Sequence, residues 1–181
     1  VAEAQAAEKR AKRDVAEHGY GRSALAFTIY KRSGEIVEWG AKWDNSENAD
    51  GAIRCLMTLL EDLTEDRLSS RFSYRMLELV DPYRGNGSQA GSVDTKFAEE
   101  VKQILLGDFR EVLDRQRGRK GSSLDADCRV REFAAALDQI QEQSSDGGDS
   151  ESASLRLLNE VSGFFQVLAW MAKTSDGKGE N

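Results

Sequence analysis

Apolar residues recur at helical spacing through most of the chain, and the pattern is strongest near its end. One broad stripe between about 153 and 173 is typical of a helix at the centre of a core. This stripe is formed by Leu157, Leu158, Val161, Phe164, Phe165, Leu168 and Met171. Narrower stripes predict helices over about 47–63 and 95–116, and a further helix that starts at Ser123 or Asp125.

A different pattern, the alternation of side chains on two faces, covers residues 24–30 and 35–43. It predicts two β-strands joined by a turn from Lys31 to Gly34, in which Gly34 can adopt a positive φ. An isolated hairpin is marginally stable in water, so it must pack against other elements. We therefore predict an α+β, mostly helical fold, in which one β-hairpin, or a small sheet, packs against four to six helices.

Residues 70–80 leave the size of the sheet open. Their apolar positions, from Phe72 to Val80, fit both a short helix and a strand. A strand here could pair with the hairpin and enlarge the sheet. The chain's only proline, Pro82, is expected to break the segment.

Polar stretches suggest how the chain is organised. We expect an N-terminal helical extension over 1–18, a single globular domain over 19–173 with polar loops near 84–92 and 144–152, and a flexible tail over 174–181. The extension is rich in alanine, so burial of its apolar face would stabilise it little. We therefore expect it to lie on the domain or against a partner.

The composition narrows the class of protein. A net charge of −7 repels nucleic-acid phosphates on average, although a local basic patch can still bind them. No apolar run approaches the roughly 20 residues that span a bilayer, and no leader-peptide pattern is visible. We expect a soluble protein of a reducing compartment, the cytoplasm or an organelle matrix, with Cys55 and Cys128 as buried free thiols.

The sequence contains none of the common catalytic or cofactor motifs. Phosphate loops, dinucleotide fingerprints and nucleophile elbows are absent, and His18 is the only histidine. Two cysteines and one histidine cannot form a four-ligand Cys/His zinc site. We expect no cofactor, no metal centre and no catalytic residues.

Two groups of residues could instead contact a partner. Trp39 and Trp43 share a strand face, which either packs in the core or marks a protein-binding site. The basic group consists of Arg115, Arg117, Arg119 and Lys120, with Arg110 one turn earlier. These cations could bind phosphates, or they could simply complement the dipole at a helix C-terminus.

The segment from Gly19 to about Val80 resembles part of the ribonuclease H-like fold, with a hairpin, an asparagine-led loop and a first helix in matching order. The segment LDADCRVREFAAAL resembles that family's closing helix. The resemblance would place the active-site acids at Asp14, Asp50 and Asp127, but Phe72 to Tyr74 supply no carboxylate where another acid is needed. It therefore implies a domain that has lost, or never had, two-metal hydrolysis.

These observations favour a non-enzymatic interaction or assembly subunit of a larger complex. Its partner would be another protein or a second copy of the chain. The alternative is a ribonuclease H-like domain associated with nucleic acid and catalytically degenerate.

Overall fold

A computed structural model of the protein describes residues 2–12, 23–43, 51–84, 95–145 and 153–176. This part of the chain contains six α-helices and one two-stranded antiparallel sheet, which confirms the predicted α+β, mostly helical class. In chain order the elements are α1 (Ala2–Lys12), β1 (Ala24–Tyr30), β2 (Ile36–Lys42), α2 (Ala52–Thr64), α3 (Phe72–Arg84), α4 (Thr95–Arg115), α5 (Ala126–Ser145) and α6 (Ala153–Asp176). Within the described ranges, none of the helices has the length and apolar character needed to cross a membrane.

The hairpin forms where the alternating pattern predicts it. Strand β1 pairs with β2 from Ala24 opposite Lys42 to Tyr30 opposite Ile36. The turn closes through the N–H of Gly34, which donates to the carbonyl of Lys31 at 3.0 Å. Gly34 has a φ of +86°, as expected for this position.

Helix α1 lies on the face of the hairpin that points away from the core. Arg10 forms an ion pair of 2.6 Å with Glu38 and donates hydrogen bonds to the side chain of Thr28 and the carbonyl of Phe27. The small side chain of Ala26 lies opposite Gly40 on this face, which allows a helix to approach closely. Residues 13–18 of the predicted extension lie outside the described residues.

Helix α6 is the centre of the core, as its broad apolar stripe predicts. The ring of Phe164 meets that of Trp39 edge-on at 5.5 Å, and Phe165 lies 6.1 Å from Phe72 and 5.7 Å from Phe133. Gly163 brings the helix backbone onto the hairpin, because an added Cβ there would lie only 2.9 Å from Cδ1 of Trp39. The sheet and helices α2 to α5 therefore pack around one helix.

Most of residues 70–80, from Phe72 onward, form part of helix α3, and none of them extends the sheet. The expectation that Pro82 breaks this segment is wrong, since the proline lies inside α3, which ends at Arg84. A proline within a helix costs a hydrogen bond and clashes with the preceding turn. Burial of Met76 and Val80 against the core favours the helix in spite of that cost.

Several helix ends differ from the predicted ones. Helix α2 begins at Ala52 instead of 47, and its first N–H donates to the Gln139 side chain at 2.7 Å. The predicted caps over 44–47 lie outside the described residues. Asp125 caps α5 by accepting from the N–H of Cys128 at 2.9 Å, as predicted. Helix α6 extends into the predicted tail as far as Asp176.

Candidate functional site

The two tryptophans proposed as partner contacts occupy different environments. Trp39 is fully buried, stacked on Phe27 and edge-on to Phe164, so a partner cannot touch it in the folded chain. Trp43 lies one residue beyond β2 and is 57% exposed. Of this pair, only Trp43 is available to a partner.

The basic group proposed to bind phosphate is exposed but largely neutralised by neighbouring carboxylates. Its ion pairs are Arg110–Asp127 at 2.6 Å, Arg115–Glu111 at 2.6 Å, Arg117–Asp114 at 2.8 Å and Arg119–Asp66 at 3.7 Å. Within the described ranges, no carboxylate pairs with Lys120. A phosphate would therefore compete with local acids at four of these five cations.

The backbone of this basic segment has a structural role that its sequence does not reveal. It pairs with the turn that follows α2, through bonds from Ser69 to Gln116 at 2.8 Å, Gly118 to Arg67 at 2.8 Å and Lys120 to Asp66 at 2.9 Å. The α2–α3 and α4–α5 connections are thus held side by side. This pairing fixes the backbone that carries the cations.

Only one of the acids implied by the ribonuclease H-like resemblance, Asp127, lies within the described residues. Asp14 and Asp50 lie outside the described residues, and Asp127 is exposed in the first turn of α5. Among the residues that are described, no three histidine, cysteine or carboxylate side chains are grouped closely enough to hold a metal ion. The resemblance stays a prediction.

A buried charge network joins α2 to α5. Asp62 is fully buried, and its two carboxylate oxygens meet the Nε atoms of Arg67 and Arg129 at 2.5 Å each. Hydrogen bonding to Asp62 raises the pKa of Arg67. Burial opposes the charge of Arg129, but Asp62 and Glu132 outweigh it and leave its pKa above the usual value. Two guanidinium groups occupy the oxygens of Asp62, so this network links α2 to α5 and offers no free base.

The two cysteines are free, as predicted, but only one is buried. Cys55 on α2 is fully buried, and burial together with the charge of Glu132 raises the pKa of its thiol. Such a thiol is unreactive at neutral pH. Cys128 is half-buried beside Glu132, at 3.8 Å from its carboxylate.

A groove lies between α3 and α4. It has a volume of about 390 Å³, and Leu79 and Val112 lie among its charged residues. The two helices are antiparallel, because the chain before α3 bonds to Gln116 at the end of α4. The exposed side chains of Tyr83 and Ile104, one turn beyond the groove on each helix, therefore extend it in the same direction.

This groove is here called the α3/α4 groove. One of its charged side chains has no partner of opposite charge among the described residues. Arg75 pairs with Glu78 at 2.5 Å and Arg115 pairs with Glu111 at 2.6 Å. Asp108 has no ion-pair partner among the described residues. Burial and the nearby charge of Glu111 raise the pKa of Asp108. A cation beside Asp108 would oppose both effects and lower its pKa again.

A second acid lies within the core layer of α6. Glu160 is half-buried and has no ion-pair partner in the described part of the chain. Burial raises its pKa to about 7. The folded chain thus binds this proton more tightly than the unfolded chain, whose glutamates titrate near 4.3. This contribution to stability is fully present at acidic pH and is lost as the pH rises to about 7.

Replacing Glu160 by glutamine removes this titration. We expect Glu160→Gln to increase the free energy of unfolding by about 2 kcal/mol at alkaline pH and to leave it nearly unchanged near pH 4. Urea unfolding at several pH values measures the difference. Glu142→Gln, an exposed control on α5, should change stability at neither pH. A gain from Glu160→Gln that does not depend on pH would contradict this account.

Sequence patterns alone do not single out these acids, because most helical carboxylates in the chain lie on solvated faces. A signal was nevertheless present. Asp62 follows Leu59 by three residues, and Asp108 and Glu160 follow Leu105 and Leu157 at the same spacing. Each acid therefore falls within an apolar stripe of its own helix, where a charged residue needs a partner.

Comparison with known proteins does not assign the chain to a family. No protein-family model, curated protein or solved structure matches the chain.

Proposed function

We propose that this chain is a non-enzymatic interaction subunit of a larger complex, and that it binds a protein partner in the α3/α4 groove. The observation that carries the proposal is Asp108, a partly buried acid without an ion-pair partner among the described residues, in a groove bordered by exposed apolar side chains. Burial and the charge of Glu111 make the charged form of this acid less favourable in the free chain. It is therefore suited to a partner that supplies the missing charge.

The groove also defines the chemistry of that partner. An amphipathic helix could place its apolar side chains against Leu79, Val112 and Ile104, as helices do in other two-helix grooves. A lysine or arginine on the same helix would pair with Asp108. This pairing lowers the pKa of Asp108, so binding should strengthen as the pH rises through its titration range.

Affinity capture with matched variants tests this proposal. Ile104 and Ile36 are each 55% exposed, but only Ile104 borders the groove. We expect a stoichiometric partner that wild type and Ile36→Glu retain and Ile104→Glu loses. Asp108→Asn should weaken the same interaction about tenfold, while slightly stabilising the chain alone.

Two results would contradict the proposal. One is a capture profile that is identical for wild type and Ile104→Glu. The other is the absence of any stoichiometric partner. Binding to an RNA–DNA hybrid that weakens steeply with salt, and is lost when Arg119 and Lys120 become glutamine, would favour the ribonuclease H-like alternative.

A further inference from the structure

Helix α1 is attached to the rest of the described structure by a small contact area. Strand β1 is its main packing partner. Of the side chains from Glu3 to Lys12, only those of Ala7, Arg10 and Ala11 are half-buried, and the others are exposed. Because two of these three are alanines, burial of apolar surface stabilises the contact little. A helix of 11 residues is also marginal by itself in water, so α1 depends on its docked position.

In the described part of the chain, the polar contacts between α1 and the hairpin come from one side chain, Arg10. Its guanidinium pairs with Glu38 at 2.6 Å and donates to the hydroxyl of Thr28 and to the carbonyl of Phe27. The ion pair is open to water, because the side chain of Glu38 is 49% exposed. The Nε atom of Arg10 is buried and has no hydrogen-bond partner among the described residues, which makes the docked position less favourable.

The face of the hairpin beneath α1, here called the outer face, is only partly covered. Ala26 and Gly40 lie opposite each other where the helix approaches the sheet. Tyr30 and Ile36 form the cross-strand pair at the turn end of the same face, and each is 55% exposed. Release of α1 would therefore join a strip of small residues to an exposed apolar pair in one open surface.

We propose that α1 is a releasable cover for the outer face of the hairpin, and that Arg10 holds it in place. The side chains beneath α1 point away from Trp39 and α6, so their exposure leaves the core packed. Release exposes little surface and is expected far more often than global unfolding. Salt should favour it, because ions screen the pair with Glu38. The α3/α4 groove shares no residue with this surface, so this proposal and the proposed function can fail separately.

Amide hydrogen exchange of the full chain tests the proposal. In wild type, we expect the hydrogen-bonded amides of α1 to exchange at least about a hundredfold faster than those of α6, while remaining measurably protected. Arg10→Gln should speed exchange in α1 about tenfold further and leave α6 unchanged. Lys9→Gln is the matched control, because it removes the same charge from an exposed position on the same helix. Its exchange should be close to that of wild type.

Three results would overturn the proposal. If α1 exchanges as slowly as α6, the helix opens only when the whole fold opens. If α1 is unprotected in wild type, it covers nothing. If Arg10→Gln and Lys9→Gln behave alike, Arg10 is not the anchor. Should Arg10→Gln also speed exchange in α6, wild type at low and high salt concentration decides alone, with faster exchange expected in α1 only at high salt and an unchanged rate contradicting the proposal.

Discussion

Replacing Asp62 by alanine should destabilise the protein by about 3 kcal/mol, a large part of the stability of a typical domain. The side chains of Arg67 and Arg129 are only 16% and 15% exposed, and both depend on this carboxylate for their main ion pair. Without it, each guanidinium keeps only flanking glutamates, and the link between α2 and α5 is lost. Urea unfolding monitored by circular dichroism measures the change.

A matched control separates this effect from the loss of any ion pair. Asp114 pairs with Arg117 at 2.8 Å on the surface, so Asp114→Ala should cost less than about 0.5 kcal/mol. Asp62→Asn and Arg129→Met should together cost less than the sum of their separate costs, because they disrupt the same interaction. If Asp62→Ala and Asp114→Ala lowered the free energy of unfolding equally, burial of the network would add nothing to its contribution to stability.

The second large effect is expected at Gly118. A Cβ at this position would overlap the carbonyl oxygen of Asp66 and lie 2.7 Å from its carbonyl carbon. The obstacle is backbone, and the N–H of Gly118 bonds to the adjacent carbonyl of Arg67. Gly118→Ala should therefore separate the two connections and cost about 3 kcal/mol or more.

Gly107 provides the contrasting glycine-to-alanine change. It lies within α4, and an added Cβ there meets nothing within 4 Å. Gly107→Ala should stabilise the protein by up to about 1 kcal/mol through helix propensity. Thermal unfolding of the two variants therefore gives shifts of opposite sign. A Gly118→Ala protein as stable as wild type would mean that the two connections are not held together as described.

Local patterns predicted most of the fold. Alternation placed the hairpin, Gly34 marked its turn, and the stripe from Leu157 to Met171 identified the central helix. Each of these signals depends on neighbours within a few residues, which a single sequence displays directly. The same holds for Asp125, whose cap requires only the next turn of its own helix.

The sequence alone could not reveal features that depend on distant segments. The apolar positions in residues 70–80 fit the period of a helix and also that of a strand. Packing against α6 favours the helix. The basic residues near 117 suggested a ligand, whereas their backbone bonds to a turn some fifty positions earlier in the chain. The α3/α4 groove appears only when two helices are placed side by side, so no single motif could predict it.

The position of α6 along the chain has a consequence for biosynthesis. Its rings complete the burial of Trp39, Phe72 and Phe133, yet all of the other described elements leave the ribosome before it. Until α6 emerges, the nascent chain displays an incomplete apolar core that chaperones can bind. A chain that stops before residue 153 would keep that surface exposed, which would mark it for degradation.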